Sequence, residues 1–438
     1  MNESQLKNEI FSRIKEIYKI RKAEMKFVPG KTKIHYSGRV YDEEEMIAVT
    51  DAVLDFYLTF GERGLNFERE FAKFNGAKHA ILVNSGSSAN LIAVSTLCSK
   101  NLKNHLEPVD EVITPAVTFP TTINPIIQNG LVPVFVDVEL GTYNINIESM
   151  KEAATEKTKA IFVPHTLGNP ADMKELMAFA KKKNLFVIED ACDALGSKFD
   201  DKLCGTFGDM GTFSFYPAHH ITMGEGGAVI TNDDNMAKIA RSIRDWGRDC
   251  FCKTGETNSN GACGNRFNFR IDGLAYDHKY IYSNIGYNLK ALDIQAAMGL
   301  VQLKKIPQFE KTRKKNFKIL YSFLEKYTDF FLLPSWSGRA DPSWFSFPIT
   351  IKENAPFKRE GITRYLESKQ IETRLLFAGN ILKQPAYKGI KYRLHEKLTN
   401  SDIVMKNTFF IGVYPGINDE IINYMESCFR EFLNKFRR

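Results

Sequence analysis

No run of eighteen apolar residues occurs anywhere in the 438-residue chain, which argues against a membrane-spanning helix. The opening stretch MNESQLKNEIFSRIKEIYKIRKAEMKF lacks the apolar core of a secretory signal, so the expected location is cytoplasmic. There is no basic block with interleaved aromatics, and nucleic acid is therefore not an expected partner. Charge is nearly balanced: Lys plus Arg exceed Asp plus Glu by 59 − 52 = 7. So mild an excess suits a small anionic substrate and equally a plain solvated surface. Disulfides are not expected for the seven cysteines, because a large cytoplasmic chain keeps its thiols reduced. Three of them, Cys250, Cys252 and Cys263, crowd into fourteen residues and call for a metal or another reason.

What is present is an alternation of strands and helices. Short β-branched runs recur at 79–84, 111–115, 132–138, 160–165, 185–190, 211–216 and 226–231, and helical patterns such as 88–100 and 171–183 separate many of them. The pattern predicts an α/β protein with a mainly parallel sheet covered by helices, and ligands at the carboxyl ends of its strands. We expect an N-terminal helix and arm over 1–60, a large domain over 61–305 and a small α+β domain over 306–438. Ile10, Ile14, Ile17 and Tyr18 recur at helical spacing, as on a basic docking helix. Between 243 and 283 the periodicity fails, leaving a long Gly/Asn-rich, cysteine-bearing loop, and loops of that length are commonly functional. Two helical patterns follow between 289 and 328.

Chemistry-bearing residues fall at the strand ends. Asn84-Ser85-Gly86-Ser87-Ser88 turns from strand to helix, offering amides and hydroxyls to a phosphate, although the same turn serves as an ordinary helix cap. Val187-Ile188-Glu189-Asp190 ends a buried strand in carboxylates, and such an aspartate can pair with a protonated ring nitrogen. Ser214-Phe215-Tyr216-Pro217-Ala218-His219-His220 leads into Gly224-Glu225-Gly226-Gly227. Cys192 stands two residues beyond Asp190 and, with Cys250, Cys252 and Cys263, makes a quartet able to bind a [2Fe–2S] cluster or zinc.

The run 214–227 resembles the S-F-[FY]-P-[ST]-K-x-L-x-x-G-x-G-G stretch of the sugar-aminotransferase branch of the aspartate-aminotransferase fold (fold type I of the pyridoxal-phosphate enzymes). That resemblance implies a phosphate site at Gly86, Ser87, Ser88 and Ser214, Asp190 beneath the pyridine nitrogen, and Phe119 stacked over the ring. It also implies a homodimer, in which Asn288 reaches the neighbouring subunit's cofactor. The family's cofactor-attaching lysine falls on His219. An imidazole cannot tether the cofactor, but it titrates near neutrality and suits proton transfer.

His219 together with the cysteines resembles the pyridoxamine 5'-phosphate and [2Fe–2S]-dependent 3-dehydratases of dideoxysugar synthesis, whose known member acts on CDP-4-keto-6-deoxyglucose. Further carriers are ED-A-C-D-A-L-G (189–196), WGRDCFC (246–252), GYNLKALDIQAA (286–297) and LTNSDIVMKNTFFIGVYPG (398–416). Asp193 replaces the Gln usual in the aminotransferases, as in the dehydratases. The interval from Cys252 to Cys263 is longer than the family's. The resemblance implies C3 deoxygenation of a nucleotide-linked 4-keto-6-deoxyhexose for lipopolysaccharide O-antigen synthesis. Electrons would come from an NAD(P)H-dependent flavin/iron–sulfur reductase, and Arg374 is a candidate for the nucleotide phosphates. Three other readings stay open: an aminotransferase tethering its cofactor through a lysine such as Lys290, a cluster-free dehydratase, and a zinc-holding regulator on a retired scaffold.

Overall fold

The computed structural model describes residues 1–249 and 266–436. Eight strands form the central sheet, in the order His79–Val83, Gly227–Thr231, Met210–Ser214, Phe186–Asp190, Thr158–Pro164, Glu111–Pro115, Val132–Val136 and Arg393–Leu394. Only Gly227–Thr231 runs antiparallel to its neighbours; the other pairs are parallel. Apart from the edge strand Arg393–Leu394, these strands are almost wholly buried, which explains why they read as continuous apolar runs without alternation.

Helices start where the sequence supplies caps. Ser85 caps Gly86–Leu97, its hydroxyl accepting from the Ser88 amide at 3.1 Å. Pro120 occupies the first turn of Pro120–Gln128, where a missing N–H costs nothing. Glu62–Asn75 begins at Gly61 with no cap of its own. Instead Asp293, buried at the start of another helix, accepts from the Gly61 and Gly64 amides at 2.8 and 2.9 Å.

The two helical patterns between 289 and 328 are one 32-residue helix, Asp293–Leu324, with Pro307 inside it. Position 305 lies within this helix, so the large and small parts share it. Beyond it, Phe331–Leu332, Ser346–Ile351, Thr408–Gly412 and Arg374–Leu375 form an antiparallel sheet. Helices Arg359–Ser368 and Asp419–Leu433 cover it over a core that includes Phe317, Phe347, Ile411 and Phe429. The short strand Arg393–Leu394 returns to extend the large sheet, which the sequence pattern did not reveal.

The described part of the 243–283 segment is not structureless. Phe269–Ile271 and Leu274–Tyr276 make a hairpin whose turn residues Asp272 and Gly273 have φ of 49° and 82°. Near the N-terminus, Glu3–Glu24 is a helix of which only Ile14 is buried. No helix among the described residues is long and apolar enough to cross a membrane.

Candidate active site

A cavity of about 500 Å³ opens at the carboxyl ends of the central strands. Gly86, Ser87, Phe119, Asp190, Cys192, Asp193, Ser214, His219 and Arg374 all line it. They come from positions far apart in the chain and meet because parallel strands all end on one side.

Asp190 is buried and tightly held. Its Oδ2 accepts from Asn90 Nδ2 at 2.8 Å and Thr122 Oγ1 at 2.7 Å. Thr212 Oγ1 donates to Asn90 Oδ1 at 2.6 Å, and Thr118 Oγ1 to Thr122 Oγ1 at 3.0 Å. Oδ1 accepts from the Cys192 amide at 3.2 Å, and Asp190 lines the cavity. Asn90, Thr118 and Thr122 were not singled out from sequence. Their one signal was proximity: Thr118 and Thr122 bracket Phe119, and Asn90 lies one turn into the helix after the 84–88 turn.

The phosphate turn depends on close backbone approach. A Cβ on Gly86 would sit 2.4 Å from Ser214 Cβ, and one on Gly227 only 2.3 Å from the Ser85 carbonyl oxygen. Two bare glycines thus bring the Ser214 strand end against the helix start. Ser85 and Ser87 face the cavity. Ser88 departs from the expected cradle: its hydroxyl donates back to Asn84 Oδ1 at 2.6 Å, so the cap consumes it.

His219 stands with Nδ1 3.3 Å from Asp193 Oδ1, without hydrogen-bond alignment. Its ring lies 5.5 Å from Phe345, and its backbone carbonyl accepts from Arg313 Nη2 at 3.3 Å. Adjoining His220 is buried and donates from Nε2 to the Ser343 carbonyl at 2.7 Å. Burial, with Arg313 close by, keeps His220 well below the usual imidazole range and therefore neutral.

Phe119 caps its helix with the ring half-exposed and edge-on to Phe377, 6.0 Å away. Arg374 is held by buried Glu372 and lies 4.8 Å over the Tyr36 ring. Asn288 is exposed and lies outside the cavity of its own chain, its Oδ1 accepting from Lys290 Nζ at 2.8 Å. That amine also sits 3.4 Å over the Trp246 ring and 3.8 Å from Asp245. Lys290 is therefore committed elsewhere, and among the described residues no lysine lines the cavity. The tether that would make this an aminotransferase has no candidate there.

The residues present fit a vitamin B6 phosphate: a glycine-spaced helix start beside Ser214, and a carboxylate, Asp190, in the same cavity wall. Of the four cysteines expected to hold a cluster, Cys192 is the one among the described residues. Cys192 lines the cavity, and burial followed by the Asp190 charge pushes its thiol well up, so a thiolate here needs a cation beside it. Cys250, Cys252 and Cys263 lie outside the described residues. Among the described residues no group of three or more His, Cys, Asp or Glu could hold a metal ion.

Residues 40–430 match the model of the DegT/DnrJ/EryC1/StrS aminotransferase family. The chain belongs to that family. Among its DegT/DnrJ/EryC1/StrS relatives, a dTDP-4-dehydro-2,6-dideoxy-D-glucose 3-dehydratase of Saccharopolyspora spinosa is 51% identical over 93% of this chain and 88% of its own. The lipopolysaccharide biosynthesis protein RfbH of Salmonella typhimurium is 49% identical over 93% of both chains. A solved GDP-4-keto-6-deoxy-D-mannose-3-dehydratase of E. coli with bound hydrated pyridoxal phosphate superposes with a TM-score of 0.80, at 33% identity, over 91% of this chain and 100% of that one. The fold is accordingly type I of the pyridoxal-phosphate-dependent enzymes, as expected from the 214–227 run. The family's description is aminotransferase, whereas the relatives named above include 3-dehydratases.

Proposed function

We propose that the chain is a 3-dehydratase of a nucleotide-linked 4-keto-6-deoxyhexose, working with pyridoxamine 5'-phosphate. The carrying observation is the cavity wall: His219 where a tether belongs, Asp190 opposite, and no lysine among the described lining residues. The named relatives with dehydratase activity support the same reaction class. When bound, the cofactor supplies the amine that takes up the 4-keto group and the ring that draws electron density away from C3. Asp190, fixed by Asn90 and Thr122, keeps a negative charge at the ring nitrogen. His219 moves the proton at the cofactor's methylene carbon. Ser214, Ser87 and the amides after Ser85 hold the phosphate. Arg374 binds the substrate's diphosphate.

Overall, the C3 carbon loses its hydroxyl as water and gains two electrons and a proton, giving a 4-keto-3,6-dideoxyhexose. Cys192, Cys250, Cys252 and Cys263 would hold a [2Fe–2S] cluster, which would supply one-electron transfer, with an NAD(P)H-dependent flavin/iron–sulfur reductase as the electron source. CDP is the proposed nucleotide, the cytoplasm the proposed location, and a homodimer the proposed assembly, with Asn288 serving the neighbouring subunit. Incubation with cofactor, reductase and CDP-4-keto-6-deoxyglucose, followed by NMR of the sugar, tests this. A methylene at C3 with the ketone retained supports it; an amino group at C4 refutes it. Two irons and two sulfides per chain after anaerobic reconstitution support the cluster, and C3 deoxygenation by iron-free protein refutes that part in favour of a cluster-free dehydratase.

A further inference from the structure

Three buried polar atoms of neighbouring residues have no hydrogen-bond partner: His219 Nδ1, His220 Nδ1 and Arg313 Nε. His219, His220 and Arg313 all line a second space of about 10 Å³, and His219 also lines the substrate cleft. That is about the least room that admits one water. The chemistry of each atom is fixed by its other contacts. The Ser343 carbonyl can only accept, so His220 Nε2 carries the proton and its neutral Nδ1 is a bare acceptor. Arg313 is buried, spends its Nη atoms on the carbonyls of His219, Trp344 and Phe345, and keeps Nε–H as an unspent donor. A buried donor and a buried acceptor on residues that line one small space can be satisfied together by one water.

We infer that one buried water fills this space, accepts from Arg313 Nε–H and donates to His220 Nδ1, and with its second lone pair accepts from His219 Nδ1–H. Arg313 and His220 are thereby positioning residues. They hold His219 in the tautomer whose Nε2 is bare, which is the form able to take a proton. Asp193, 3.3 Å from the same Nδ1, favours the same tautomer from the cleft side. This rests on the reading of His219 as the base. The second histidine of the Ala-His-His run, unused by the chemistry above, gains a role: it is the acceptor that orients the water.

The test uses full-length, cofactor-loaded protein with 15N-labelled histidine, and needs no substrate. At pH 7 to 8 the long-range 1H–15N spectrum should show His220 as a pure Nε2–H tautomer and His219 as predominantly Nδ1–H, and a high-resolution crystal structure should show one water touching all three residues. His220→Gln keeps a donor for the Ser343 carbonyl but nothing at the Nδ1 position; His220→Asn does the reverse and keeps the water. We expect His220→Gln to lose the water, shift His219 toward the other tautomer and lower kcat about tenfold with little change in KM, and His220→Asn to be the milder change. An empty cavity, a His219 that is Nε2–H in the wild type, or a His220→Gln protein with unchanged tautomer would overturn the proposal. Those results leave the dehydratase reading standing, because that reading is decided by the sugar product.

Discussion

At His219 the side chain decides between two reactions that the same fold can house. Its neighbours would serve either, whereas the imidazole can move protons and cannot tether the cofactor. Replacing it with Asn keeps the shape and removes the base; kcat should fall by about 10²-fold or more while cofactor affinity stays within a few-fold, measured by turnover and by equilibrium binding of pyridoxamine phosphate. Asp190 depends on neighbours invisible in its own motif. Thr122→Val removes one of the two side-chain donors to Oδ2 and leaves a buried carboxylate oxygen short of a partner. The expected loss is about 1–3 kcal/mol of unfolding free energy, read from urea melts, with weaker cofactor retention.

At the scale of single elements, strands were the most legible, because burial on both faces writes them as continuous apolar runs with β-branched residues. The strand and helix bounds differ from the sequence reading mainly at their ends, where caps and turns decide. The long helix Asp293–Leu324 was read as two patterns because Pro307 interrupts its propensity, yet packing on both domains carries the helix through. What no local pattern could show is help between elements distant in sequence. Asp293 caps Glu62–Asn75 across 232 positions of chain, doing for Gly61 what a local Ser or Asp does elsewhere. Asp293→Ala should destabilise the protein by about 1–2 kcal/mol, visible as a lower urea midpoint and as faster hydrogen exchange in the first turn of Glu62–Asn75.

Across the whole molecule, the chain returns to its large sheet through Arg393–Leu394, and Glu111 secures that return. Its carboxylate receives Arg393 Nε and Nη2 at 2.9 and 2.8 Å. Burial alone raises Glu111, but Arg393 and the hydroxyls of Thr155 and Thr158 outweigh it and hold the group below the ordinary carboxylate range. A depressed carboxylate stabilises fully above its unfolded value of about 4.3 and loses that contribution as pH falls through the lower folded value. Stability should therefore drop in acid below about pH 4, and Glu111→Gln should be less stable at neutral pH with a shallower acid loss, as followed by circular dichroism.

The order of motifs along the chain revealed the fold type and most of the cavity wall, because each motif sits at a strand end and the parallel sheet gathers those ends. Part of the wall, Asn90, and the layer behind it were hidden. Asn90, Arg313 and Glu372 act only through tertiary neighbours, and their spacing carries no signature. Ser88 shows the opposite case: its hydroxyl, which the motif offers to a phosphate, donates to Asn84 within the local cap.

Central to the proposed function is a vitamin B6 cofactor held without a covalent bond, with His219 in place of the tether. The most direct measurement loads the protein with one equivalent of pyridoxal phosphate, reduces it with borohydride, and reads the intact mass and the modified peptide. An unmodified chain, with the reduced cofactor removed on denaturation, is the predicted result. A chain heavier by one phosphopyridoxyl group at a single lysine, Lys290 or any other, would contradict the account and return the protein to the aminotransferases.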